Sequence, residues 1–91
     1  MQFEWDVTKS TANKAKHGID FNTAKNIWLD ENRVEIQAPY PVEDRTILID
    51  QYQDKLWTAI YTMRGDTIRI ISVRRAREKE ARLYEEEVGQ E

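Results

Sequence analysis

One histidine stands in the 91-residue chain, His17, within the stretch NKAKHGIDF over residues 13–21. Imidazole is the side chain that exchanges a proton near neutral pH, so His17 followed by Gly18 poses a choice between acid–base chemistry and the plain end of a helix. Its surroundings favour chemistry. Lys9, Asn13, Lys16 and His17 recur at i, i+4, i+7 and i+8, which at 3.6 residues per turn gathers them within roughly a 100° arc. A second cationic group lies late in the chain. Residues 64–82 hold Arg64, Arg69, Arg74, Arg75, Arg77, Lys79 and Arg82 against Asp66, Glu78 and Glu80, a local charge of +4 in a chain of net charge −3. Guanidinium forks match the oxygens of a phosphate and stay charged at every working pH, so this run is a candidate phosphate-binding surface. A solvated helix face pairing with Glu78 and Glu80 at i, i+4 spacing is the competing structural explanation.

The elements that must position these groups follow from period and punctuation. FEWD at 3–6 is compatible with a short edge strand. Asp6 or Thr8 caps a helix over about residues 8–17, which carries almost no apolar stripe and ends at Gly18. Asp20 caps a second helix over about 20–29, whose Phe21, Ala24, Ile27 and Trp28 form a core-facing stripe. The period then changes to two. RVEIQ, RTILID, KLWTAIYTM and TIRIISVRR read as strands, APYPVED as a loop, QYQD as a turn, and Gly65-Asp66 as a two-residue hairpin turn. That turn places Thr62 opposite Arg69, Arg64 opposite Thr67 and Ile60 opposite Ile71, which brings Arg64 and Arg69 to one face. Like charges so close call for an anion or a carboxylate between them. A last helix over about 76–88 offers Ala81, Tyr84 and Val88 as its buried stripe, with Leu83 beside it. The expected fold is α+β: two N-terminal helices, an antiparallel sheet of three or four strands, and a C-terminal helix, in a single domain over 1–91.

Composition removes several classes. The chain has no cysteine, so it has no disulfide framework, thiolate nucleophile or thiolate metal site. One histidine and no tight cluster of carboxylates leave poor ligand spacing, so neither metal nor other cofactor is expected. No apolar run approaches 18 residues and MQFEWDVTKS has no signal-peptide core, so a cytoplasmic protein with no membrane association is expected.

FEWD at 3–6, NKAKHGIDF at 13–21, EDR at 43–45, YTMRGDTIRIIS at 61–72, RRA at 74–76, and Glu80 with Tyr84, in this order and at this spacing, resemble the BrnT family. The resemblance runs from Phe3 to about Glu85. It implies a RelE-like fold and a toxin of a type II toxin–antitoxin module, a ribonuclease that arrests growth. It further implies a BrnA-type antitoxin with a ribbon-helix-helix part, a complex of two toxins with two antitoxins, and operator DNA bound through the antitoxin. The chain departs from the family's pattern in APYPVED, in Asp50 and in Val73.

RNA carries its own nucleophile, the 2′-hydroxyl, so cleavage asks the protein for a base, an acid and positive charge for the phosphorane, with no metal. Together with the resemblance, this assigns Arg64 and Arg69 to the phosphorane, Glu43 as the base and His17 as the acid. Lys9, Lys16, Arg45, Arg74, Arg75 and Arg77 become RNA contacts. A non-catalytic nucleic-acid-binding or co-repressor module acting with its antitoxin is the alternative.

Overall fold

The computed structural model describes residues 1–38 and 45–89. Their order is β1 (Gln2–Glu4), α1 (Val7–His17), α2 (Phe21–Ala24), a 3₁₀ turn (Lys25–Leu29), β2 (Val34–Ala38), β3 (Arg45–Tyr52), β4 (Lys55–Arg64), β5 (Thr67–Arg75) and α3 (Glu78–Val88). The α+β class holds. The sheet differs from the expectation: it has five strands in the order β1-β5-β4-β3-β2 and is mixed. The FEWD strand makes the difference, because Gln2, Phe3 and Glu4 lie parallel to Thr67, Ile68 and Arg69. Three residues are too few to declare a direction from their pattern. The helix expected over 20–29 is a single α-helical turn that tightens into the 3₁₀ turn, and the last helix starts at Glu78 rather than near residue 76.

Local signals explain most element ends. Asp6 Oδ1 accepts the Lys9 N–H at 3.1 Å and Asp20 Oδ1 accepts the Thr23 N–H at 2.7 Å, so each aspartate satisfies an otherwise orphaned helical donor. Gly18 takes φ 83° and donates its N–H to Lys14, closing α1. At the hairpin tip Gly65 has φ 59°, a conformation glycine adopts at no steric cost.

The core lies on one face of the sheet. Leu48, Trp57, Ala59, Tyr61, Ile68, Ile70 and Val73 pack there against Ile19, Phe21, Ala24, Ile27 and Trp28. Trp28 sits at the centre, edge-on to Phe3 at 5.4 Å and to Tyr61 at 5.5 Å. Full burial of such side chains stabilises by about 1.5–3 kcal/mol each.

α1 docks by a different force. Its buried residues are Ser10 and Asn13, not an apolar stripe. Asn13 was expected on the exposed polar arc with Lys9, Lys16 and His17; the structure turns it inward. Its Nδ2 donates to Ile19 O at 2.7 Å and to Val73 O at 2.8 Å, and its Oδ1 accepts the Val73 N–H at 3.2 Å. β1 pairs with β5 only as far as Arg69, so the Asn13 amide takes the place of a neighbouring strand at Val73. Ser10 Oγ accepts the Phe21 N–H at 2.9 Å and ties α1 to α2.

α3 is attached more lightly. None of its residues is buried: Ala81, Tyr84 and Val88 are partly covered, and Leu83 is 37 % exposed. Its anchor is Glu80, which receives Arg74 through two bonds of 2.8 and 2.9 Å, the Thr58 hydroxyl at 3.0 Å and the Arg77 N–H at 2.7 Å. Burial opposes ionisation of this carboxyl, and these donors outweigh it, holding the group at about 2. The opposite case is Asp50, which is fully buried. One oxygen accepts the Gln51 N–H at 2.7 Å; the other makes no hydrogen bond of good geometry to any described residue, though the Asp30 carboxyl and the Tyr84 hydroxyl lie near. Burial raises this carboxyl, the Gln51 N–H opposes the rise, and the nearby Asp30 carboxyl adds to it, leaving the group at about 7.

Two outcomes follow for stability. Asn13→Ala leaves three buried backbone groups without partners and should cost about 2–4 kcal/mol, read as a fall in the midpoint of urea unfolding. Asp50 binds its proton more tightly folded than unfolded, so its contribution to stability is fully present below about pH 4 and is lost as pH rises through about 7. Glu80 acts in the opposite sense, losing its contribution only as pH falls from about 4.5 towards 2, outside that window. The melting temperature should therefore decline between pH 5 and pH 8 in the natural chain and decline less in Asp50→Asn. Parallel profiles would exclude Asp50 as the cause.

Candidate functional site

A cleft of about 290 Å³ opens where the C-terminal end of α1, the β3–β4 turn and the end of β5 meet. α1 contributes Lys14 and His17, one turn apart on the same side. The turn contributes Tyr52, Gln53 and Lys55, and the strands contribute Trp57 and Arg75. Four basic side chains thus surround one opening, and among the described residues no carboxylate lines it. Lys14 Nζ donates to Gly18 O at 3.3 Å, which keeps the ammonium at the corner beside His17.

The β3–β4 turn has an unusual backbone. Tyr52 pairs with Lys55, and the two residues between them, Gln53 and Asp54, both have positive φ, 52° and 63°. This is the pattern of a type I′ hairpin, whose twist suits the flanking strands but favours Asn or Gly. A residue with a Cβ in the left-handed region costs roughly 1–2 kcal/mol. Trp57 Nε1 donates to Tyr52 O at 3.3 Å, so the indole braces the turn from below.

A β-bulge aims Arg75. From the hairpin tip, Thr67 pairs with Arg64, Ile68 with Met63, Arg69 with Thr62 and Ile70 with Tyr61, as expected. The register then slips: Ile60 pairs with Ser72, not Ile71, and Ile71 is the extra residue. Beyond the slip, Val73 and Arg75 share the face of Ala59 and Trp57, while Arg74 turns to the other side with Thr58. The Arg75 guanidinium lies 5.7 Å from the Trp57 ring centre, held by the ring's negative face. Without the bulge the two arginines would exchange faces.

The residues singled out in the sequence divide between two ends of the sheet. His17 and Arg75 meet at the cleft. Arg45, Arg64 and Arg69 sit at the other end of β3, β4 and β5. Arg69 precedes Arg75 by six residues, about 20 Å along a strand, so the cleft and the hairpin arginines do not converge on one phosphate. Arg69 is bonded to Glu4 at 2.7 Å, which supplies the carboxylate that the arginine pair called for. Arg64 is exposed at the tip. Arg74 belongs to Glu80, and the Arg77 N–H caps α3 onto the same carboxylate. Lys9 and Lys16 are exposed on α1, outside the cleft lining. Glu43 lies outside the described residues.

Lys14, Lys55, Tyr52 and Gln53 are the cleft residues the sequence reading passed over. Lys14 had a signal, its i, i+3 spacing to His17. The bulge had one too: the apolar positions Ile68, Ile70 and Val73 change their interval from two to three. Among the described residues, no three His, Cys, Asp or Glu side chains are grouped so as to hold a metal ion.

The partition of the two neighbouring arginines is testable. Arg75→Gln should leave the melting temperature nearly unchanged and weaken binding to single-stranded RNA, lowering the slope of log Kd against log salt by about 0.7. Arg74→Gln should do the reverse, costing about 1–3 kcal/mol through the Glu80 carboxylate it leaves unpaired while the salt slope holds.

The family model described as ribonuclease toxin, BrnT, of type II toxin–antitoxin system matches residues 5–80, a span that holds every cleft residue. A comparison with curated proteins returned no match. With that match across most of its length, the chain belongs to the BrnT family of ribonuclease toxins of type II toxin–antitoxin systems.

Proposed function

We propose that this toxin is a metal-independent endoribonuclease and that the cleft at the end of α1 is where RNA is cut. The observation that carries the reading is the grouping of Lys14, His17, Lys55 and Arg75 around one opening with no carboxylate among the described lining residues. The 2′-hydroxyl of the substrate attacks the adjacent phosphorus and the bond to the 5′-oxygen breaks, leaving a 2′,3′-cyclic phosphate and a 5′-hydroxyl end. His17 takes the 2′-proton, since it is the one side chain of the cleft suited to exchange a proton near neutral pH. This gives His17 the role that the sequence reading assigned to Glu43. Arg75, Lys55 and Lys14 hold the phosphorane, whose added charge makes their contact stronger in the transition state than in the ground state. Water returns a proton to the departing 5′-oxygen. Membership in the family supports an antitoxin partner; we take it to be of the BrnA type with a ribbon-helix-helix part, in a complex of two toxins and two antitoxins that reaches operator DNA through the antitoxin.

A second reading rests on the pairing of Arg69 with Glu4 and of Arg74 with Glu80, which takes two arginines away from any nucleic acid. On that reading the chain binds nucleic acid with its antitoxin as a co-repressor and does not cut.

One assay separates these. The purified toxin should cleave single-stranded RNA in EDTA and leave cyclic-phosphate ends, and His17→Ala should lower the rate by about 10²–10⁴-fold at an unchanged melting temperature. A requirement for Mg²⁺ or 3′-hydroxyl products would refute the metal-free route. Loss of cleavage in Arg64→Ala with Arg69→Ala, with His17→Ala fully active, would move the site to the hairpin. Binding with no cleavage by the natural chain would favour the co-repressor.

A further inference from the structure

Gln53 is the residue of the cleft that local structure explains least. It stands at the first central position of the β3–β4 turn with φ 52°, where Asn or Gly would cost less. Its side chain is exposed, lines the cleft, and makes no hydrogen bond to any described residue. Strain of this kind survives where the surroundings impose it, and an outlier on the wall of a site is grounds for a functional role. The chemistry of the wall indicates which role. The basic side chains of the cleft are fit for a phosphate; its neutral polar groups are the Thr23 and Tyr52 hydroxyls, the Gln53 amide and the Trp57 indole N–H, which is already bonded to Tyr52 O. Only the amide offers a donor and an acceptor side by side. Tyr52, next to it on the same wall, offers an aromatic ring.

We infer that Tyr52 and Gln53 form a base subsite beside the phosphate subsite, with the Tyr52 ring against the face of an unpaired base and the Gln53 amide reading its edge. The inference rests on the cleft being the place of cleavage. An amide presenting one donor and one acceptor matches the N6 amino group and N7 of adenine. A base can present both its face and its edge to the protein only when it is free of a duplex, so the substrate class is single-stranded RNA, with adenine preferred next to the cut. Gln53 is therefore a specificity-determining residue, and the strain at its backbone is tolerated because the turn sets the amide at the rim of the cleft.

Gln53→Gly is the informative variant, because glycine adopts the same positive φ without penalty and keeps the turn. Its melting temperature should equal or exceed that of the natural chain. The readout is kcat/KM on a set of short single-stranded RNAs that differ only in the base beside the cleaved phosphate. The natural chain should prefer adenine, and Gln53→Gly should lower kcat/KM on the adenine substrate about tenfold or more, so that the four bases become nearly equivalent. Lys55→Ala with Arg75→Ala serves as the control for the underlying assignment. If that double variant cleaves as well as the natural chain, the cleft is not the site and the base subsite falls with it. If the double variant loses cleavage while Gln53→Gly keeps the natural chain's base ratios, the cleft stands and the base subsite is refuted.

Discussion

The contact on which this architecture depends is the amide of Asn13. α1 has no apolar stripe, so the hydrophobic effect does little to hold it against the sheet. Asn13 holds it instead, by bonding both backbone groups of Val73 and the carbonyl of Ile19. Each bond is worth about 1 kcal/mol net, yet losing the amide leaves buried donors and acceptors with nothing to replace water, which is the costlier half of the account. The position is also what gives the cleft its shape. Asn13 is one residue from Lys14 and four from His17, and Val73 is two from Arg75, so one amide fixes the spacing of residues arriving from two distant parts of the chain. A polar anchor of this kind is specific in a way that an apolar patch is not: it accepts one register of helix on strand.

Charge is sorted by the same architecture. Glu4, carried on the short parallel strand, neutralises Arg69, and Glu80, carried on α3, neutralises Arg74. On α3 itself, Arg82 pairs with Glu78 one turn away. The cations around the cleft have no carboxylate among its described lining residues, although Lys14 lies near enough to Asp20 to help lower that carboxyl. The overall acidity of the chain is therefore compatible with a locally cationic site. Net charge describes how the molecule repels others of its kind, whereas the site is governed by the few charges that face one opening.

Much of this was legible in the sequence, and the exceptions share a cause. Caps at Asp6 and Asp20, the stop at Gly18, the stripe of Phe21, Ala24, Ile27 and Trp28, and the strands from Val34 to Arg75 are all declared by residues within a turn or two of the feature. His17 stands out in the sequence by its isolation and its basic neighbours, and the structure places it beside Arg75 at one opening. The direction of β1 depends on a partner 65 residues away, and a tripeptide carries no trace of it. Asn13 was misassigned because its helical spacing put it with lysines, whereas its burial is decided by an unpaired stretch of β5. The Ile71 bulge was missed because a strand of alternating apolar residues reads equally well in two registers. That single slip also decides which of two adjacent arginines reaches the cleft, a choice that the sequence reading left open by naming both.

The pairing of Glu4 with Arg69 and of Asn13 with Val73 has a consequence for how the protein comes into being. The contacts span 65 and 60 residues of a 91-residue chain. A chain growing from the ribosome holds α1 and its histidine early, but it has nothing to dock them against until β5 has left the exit tunnel. Helix-local contacts form quickly, whereas contacts of such separation come late because closing the intervening loop costs entropy before any contact repays it. Lys14, His17 and Arg75 therefore come together only after β5 has been made and is free to fold. A fragment truncated by premature termination before residue 73 lacks the edge that receives Asn13, and with it the cleft. The topology makes the cleft wait for β5: α1 and its histidine are made early, but no organised opening forms around them until Arg75 can pack beside them.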